Sequence, residues 1–345
     1  MRRIKLEMGT PVASVTMDLE RFCAASKVVI VAGKGGVGKT TVTAALASAA
    51  AAAGMSVLIV EVEGKSGLAA CFGEAPLTYE EAELRPNLRA RTLTPDDALL
   101  EYLDDHGMRR ISRRLSRSGA LDVVATAVPG MRDILVLGKV KQLEKAGVAD
   151  LIVLDAPAAG HAVNFLMSAR GLLDAVKVGP VNRQAAEVVE LLSDPERCRV
   201  MLVTLPEETP VNELVDTAYA IEDRAGVALT PVVVNSCMPV LAGFESDPEA
   251  ARRAVATAAG DDTMDAGLDT GLDTGLAIAL ADAESFRAGV QERQARQCDR
   301  LAQRLPLPQV RLPYLFTSEL GPAELDVLAA DLTAGIAALD DGLVP

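Results

Sequence analysis

Tryptophan is absent from this chain, and the other aromatics are few: six Phe and four Tyr. A core without large rings must be filled by aliphatic side chains and Ala. Half of the sequence is apolar, which suffices for such a core and excludes a wholly disordered chain. Histidine is nearly missing, with His106 and His161 the two present. A Ser-His-Asp triad or a His-ligated zinc centre therefore lacks material. The five cysteines, at 23, 71, 198, 237 and 298, contain no Cys-x-x-Cys spacing, so neither a disulfide framework nor a zinc knuckle is signalled. Thiols this scattered in sequence read as a reduced, intracellular chain and give no sign of a site for soft metalloids.

Positive charge is also scarce. Thirty-four Lys and Arg face 48 Asp and Glu, a net charge of −14, which argues against non-specific binding to nucleic acid or anionic lipid. After Arg311 there is no Lys or Arg, while Glu319, Glu324, Asp326 and Asp331 are acidic, so the tail is no basic membrane-binding helix. No apolar run is long enough to form an integral membrane segment. The strongest, 42–62, is divided by Gly54 and reads as an Ala-rich helix, a turn and a buried strand. Acidic Glu7, Asp18 and Glu20 interrupt the start, so no secretory signal is expected and the location is expected to be cytoplasmic. Residues 1–16 read as a flexible leader before a short helix at 18–25.

What is present is a rhythm. Short runs rich in Val, Ile and Leu at 27–32, 56–62, 150–155, 199–205, 230–235 and 309–312 alternate with helical patterns. That rhythm predicts an α/β fold with a doubly wound, mainly parallel sheet covered on both faces. Residues 95–147 break it, being charged and helical. Thr94-Pro95-Asp96-Asp97 supplies a cap, a first-turn Pro and an acidic third position. The expected organisation is a core of 17–94 and 148–345 with a helical insertion at 95–147, beside which 163–195 packs. Residues 260–276 carry Gly-Leu-Asp-Thr twice and read as an acidic surface loop. The run 109–117, rich in Arg, reads either as a solvated helix face or as a docking patch for an acidic partner.

The chemistry is concentrated after the first apolar run, where Gly33-Lys34-Gly35-Gly36-Val37-Gly38-Lys39-Thr40-Thr41 leads into the Ala-rich helix. Strand, Gly-rich turn and helix in that order make a P-loop. The glycines let backbone N–H groups converge on phosphate oxygens, and the helix N-terminus adds a positive dipole. Lys39 suits the β- and γ-phosphates and Thr40 suits Mg²⁺.

The additional lysine, Lys34, resembles the deviant Walker A signature of the dimeric ATPases that include the arsenite-pump, tail-anchored-protein-targeting, Min and partition families. The resemblance implies that Lys34 crosses a dimer interface to the partner's nucleotide. It extends along the chain. Glu61-Val62-Glu63-Gly64, leading to Phe72-Gly73, is similar to switch I, with Glu63 where the wider family has an Asp that orients the attacking water. Asp155-Ala156-Pro157, followed by Gly160-His161, is similar to Walker B and switch II and implies that Asp155 holds Mg²⁺ and that His161 orients the switch. Asn235 stands where the family places an adenine-binding Asn, and Pro313-Tyr314 resembles its adenine-covering loop.

The resemblance is nearest to single-copy, actinobacterial-type anion-transporting-ATPase-like members of the arsenite-pump and tail-anchored-targeting family. It implies an ATP- and Mg²⁺-dependent ATPase, a homodimer or a heterodimer with a paralogous subunit. It implies coupling to a client or membrane partner protein as well. The alternatives are a motor subunit for anion or metalloid transport and a weakly hydrolysing scaffold. One copy instead of two fused ones, and no Cys-x-x-Cys, set the chain apart from arsenite pumps and targeting factors respectively.

Overall fold

The computed structural model describes residues 18–62, 67–105, 107–110, 112–113, 130–157, 159–240 and 270–339. The leader at 1–16, Glu63, His106 and most of the basic run at 109–117 lie outside them.

Asp18 starts the first helix, α1 (Leu19–Ala24), by accepting a 2.7 Å hydrogen bond from the Arg21 N–H. The chain then enters β1 (Val28–Ala32), α2 (Lys39–Ala52), β2 (Val57–Val62) and α3 (Gly67–Cys71). Next come β3 (Ala82–Arg85), β4 (Leu88–Leu93), α4 (Pro95–Asp105), α5 (Met131–Ala146) and β5 (Leu151–Asp155). Helices α6 (Ala159–Ala175) and α7 (Pro180–Ser193) follow, then β6 (Cys198–Thr204) and α8 (Glu208–Ala220). Helix α8 runs on into one π-helical turn at Ile221–Ala225. The last elements are β7 (Ala228–Leu229), β8 (Val232–Cys237), α9 (Thr270–Arg304), β9 (Gln309–Pro313) and α10 (Pro322–Ala337).

The sheet runs β3-β4-β2-β5-β1-β6-β8-β9, with β7 also paired to β6, and every pairing except β3–β4 is parallel. Alternation along β1 divides the core in two. Val28 and Ile30 face α5–α8, packing with Leu137, Phe165, Val188 and Leu214, whereas Val29 and Val31 face α1, α2 and α10, packing with Phe22, Leu46 and Leu328. Helix α2 is buried over Val42–Ala51, since Ala side chains let α10 and the sheet approach from both sides.

Two expectations need correction. The six anticipated strands omit the two-residue β7, and also β3 and β4, the parallel-to-antiparallel edge of the sheet. In β4, Leu88, Ala90 and Leu93 are buried, but Arg89, Arg91 and Thr92 interrupt them, so no continuous apolar run marks the strand. Arg91 is buried because its guanidinium lies 4.3 Å from the Tyr79 ring centroid and pairs with Glu81. The acidic loop expected at 260–276 is helical from Thr270 onward, the start of α9. The Thr94 cap holds: its hydroxyl accepts from the Asp97 N–H at 3.1 Å and donates to the Asp97 carboxylate at 2.6 Å.

Candidate functional site

The residues expected to bind nucleotide converge at the C-terminal edge of the central strands, where an open parallel sheet places its ligands. Gly33 leaves β1 so close to β6 that a Cβ there would sit 2.3 Å from the Val203 carbonyl oxygen. Gly35 and Gly36 are exposed, and Val37 drops back into the core. Gly38 caps α2 in the left-handed region, φ 89°, and a Cβ there would lie 2.2 Å from Asn235 Nδ2. Being glycine, it offers the first turn of α2 no capping side chain, so the N-terminal N–H groups remain available to an anion.

The cations differ in placement. Lys39 is buried and its ammonium donates to the Lys34 carbonyl oxygen at 3.1 Å, inside the loop it closes. Lys34 points away from that loop to α8, where Nζ is 2.7 Å from Glu213 Oε1. Thr40 Oγ1 donates to Asp155 Oδ2 at 2.7 Å, joining the start of α2 to the end of β5. Asp155 is wholly buried, and Glu61 stands beside it in register on β2. Glu61 is buried as well and accepts from Thr92 Oγ1 at 3.0 Å. Thr41 is half-buried behind Thr40 on the first turn of α2.

A half-buried hydroxyl and a buried carboxylate, both hard oxygen donors, suit Mg²⁺ beside a loop of converging N–H groups. A Cβ at Gly33 would strike the Val203 carbonyl, whereas one at Gly36 would meet nothing within 4 Å, so space remains over the loop for phosphates. The residues fit the group.

Residues 26–178 match the model of the anion-transporting ATPase family. The matched segment is a little under half of the chain. Among the relatives of this chain, the ATPase BagA of Mycobacterium tuberculosis is 39% identical over 224 residues, covering 61% of this chain and 65% of its own length. An arsenical pump-driving ATPase of Escherichia coli is 28% identical over 217 residues, 61% of this chain and 35% of the relative. The ATPase get3 of Schizosaccharomyces japonicus is 31% identical over 143 residues, 41% and 43% of the two chains. The chain thus spans less than two thirds of the length of each of these relatives.

The residues expected on the adenine side gather around the end of β8. Asn235 Nδ2 donates to the Val37 carbonyl oxygen at 3.0 Å and braces the P-loop. Pro313 pairs in register with Cys237, and the Tyr314 N–H donates to the Cys237 carbonyl at 2.7 Å. Tyr314 is exposed and meets Phe316 edge-on at 5.1 Å. Helix α9 holds this turn from outside, Gln294 accepting from the Met238 N–H at 2.7 Å. His161 lies in α6, but its side chain is outside the described ones, as is all of Glu63.

The fold also joins two thiols whose separation in sequence hides them. The Cys237 thiol, which donates to the Val234 carbonyl oxygen at 3.5 Å, lies near enough to Cys298 of α9 for the two to perturb each other. The neighbouring Cys237 pulls the Cys298 thiol down to about 7, and Cys298, with burial, pushes Cys237 up. Among the described residues no group of three or more His, Cys, Asp and Glu could hold a metal ion. No described helix is long and apolar enough to cross a membrane.

Proposed function

We propose that this chain binds ATP with Mg²⁺ and hydrolyses it as a dimer, with a second copy or a paralogous subunit. The observation that carries this is the 2.7 Å bond from Thr40 to Asp155 at the uncapped start of α2. It holds a hydroxyl and a carboxylate together where a P-loop delivers the β- and γ-phosphates.

In this account the N–H groups of Gly35–Lys39 and the Lys39 ammonium bind the phosphates of the substrate. Thr40 and Asp155 hold Mg²⁺, which neutralises charge on the β- and γ-oxygens when bound. Asn235, Pro313 and Tyr314 receive the adenine, the Asn235 amide being able both to donate to and accept from the base edge. Glu63 orients the attacking water, and Lys34, released from Glu213, supplies a positive charge to the partner's γ-phosphate. Closure of the dimer is passed to the helical segment 95–147, which acts on a client or membrane partner protein in the cytoplasm. Measured ATP hydrolysis by the purified chain, lost with Lys39→Ala, supports the proposal. Hydrolysis unchanged by Lys39→Ala contradicts it.

A second function, as motor subunit for a metalloid, draws on the Cys237–Cys298 pair, since trivalent arsenic favours thiolates gathered in space. Arsenite-stimulated turnover that disappears in Cys298→Ser would favour it. Turnover indifferent to arsenite would rule it out.

A further inference from the structure

A cleft of about 320 Å³ opens between α4, α5 and α7, on the side of the sheet opposite α2, and none of its lining residues belongs to the nucleotide site. Two buried lysines line it, Lys139 and Lys141, both on α5. Each ammonium has three N–H donors and two protein acceptors within reach. Lys139 bonds Glu101 at 2.5 Å and Gln142 at 3.3 Å; Lys141 bonds Glu187 at 2.5 Å and Gln184 at 3.3 Å. One donor of each therefore remains for a ligand.

Arg183, on the cleft rim, makes no side-chain hydrogen bond or ion pair among the described residues. Helix α7 begins at the same cleft with Gly179 as its cap and Pro180 at its first position, so no side chain satisfies its N-terminal N–H groups. Ala98 and Leu135 add an apolar wall. With their ion-pair partners included, four cations (Lys139, Lys141, Lys145 and Arg183) stand against two carboxylates (Glu101 and Glu187), leaving a positive excess to be met.

We infer that this cleft binds a small organic carboxylate. An anion meets the positive excess, and the apolar wall of Ala98 and Leu135 favours one with an apolar body over inorganic phosphate. The volume sits at the low end of ligand pockets, which excludes a second nucleotide and suits an acid with a short apolar body. The lysines are held by their glutamates in the arrangement a carboxylate needs, so little ordering is required on binding.

The test uses the full, nucleotide-free chain, so that failure here is separate from failure of the ATPase proposal. Thermal unfolding and titration calorimetry are run with propionate, isovalerate and benzoate, with chloride at matched ionic strength and inorganic phosphate as controls. The expected result is a saturable stabilisation by at least one carboxylate and none by chloride. Arg183→Glu should weaken that binding about tenfold or more, because a charge-assisted donor becomes a like charge. Lys141→Met with Glu187→Gln, which removes the pair together and strands no buried charge, should abolish it. No saturable binding of any of the three acids overturns the inference, as does binding that survives both variants. Phosphate binding as tightly as the best carboxylate overturns the assignment of ligand class.

Discussion

Lys34 Nζ and Glu213 Oε1 lie 2.7 Å apart, in an ion pair that turns the lysine away from its own P-loop. Both side chains are about two-fifths exposed, at 42% and 43%, so the pair adds only about 0–1 kcal/mol to stability. A contact this weak is readily exchanged for a phosphate. Glu213→Gln should therefore leave thermal stability nearly unchanged and lower the ATP concentration needed for association, as followed by light scattering. An unchanged ATP requirement would mean that Glu213 does not restrain Lys34.

Gly38→Ala should be costly for a reason specific to the backbone. The residue has φ 89°, and the new methyl would meet Asn235 Nδ2 at 2.2 Å. Strain of about 1–2 kcal/mol and loss of the Asn235–Val37 brace should lower the melting temperature and impair nucleotide binding together. An unaltered melting temperature would show that the loop adapts.

Glu101 should contribute to acid sensitivity. Burial works to raise its pKa, but hydrogen bonds from Lys139 and Tyr79, with Arg91 nearby, overcome it and hold the carboxyl below its usual value of 4.5. The folded state thus binds the proton less readily than the unfolded chain. Its contribution is complete above the ordinary carboxylate range and is lost as pH falls through the depressed value. Between about pH 6 and pH 3, wild type should lose stability more steeply than Glu101→Gln in parallel melting curves.

Glu63→Gln should retain ATP and Mg²⁺ yet hydrolyse far more slowly. Glu places its carboxylate one methylene beyond an Asp, and a misplacement of about 1 Å can cost on the order of 100-fold in rate. Equal single-turnover rates for the two proteins would remove Glu63 from catalysis and direct attention to Glu61, buried beside Asp155.

The sequence displayed what depends on local pattern. Strand β1 is apolar throughout, β2, β5, β6 and β8 each carry three or four consecutive apolar residues ahead of a polar one, and the Gly-rich loop is contiguous, so all were legible. Strand β4 was not, because its buried Arg91 is made tolerable by Tyr79 and Glu81, partners that no periodicity reveals. The same limit hid the Lys34–Glu213 pair, whose members are 179 positions apart, and the Asn235–Val37 brace, at 198. Cys237 and Cys298 looked scattered because only the packing of α9 on the β8 turn unites them.

The central claim is that Lys34 acts on the nucleotide of a partner subunit. The most direct measurement is single-turnover ATP hydrolysis by Lys34→Ala, with oligomeric state followed by sedimentation in the same samples. The account predicts that ATP still binds, that ATP-dependent association is lost, and that hydrolysis falls by about 100-fold or more. Lys34→Ala hydrolysing ATP at the wild-type rate as a monomer would contradict it.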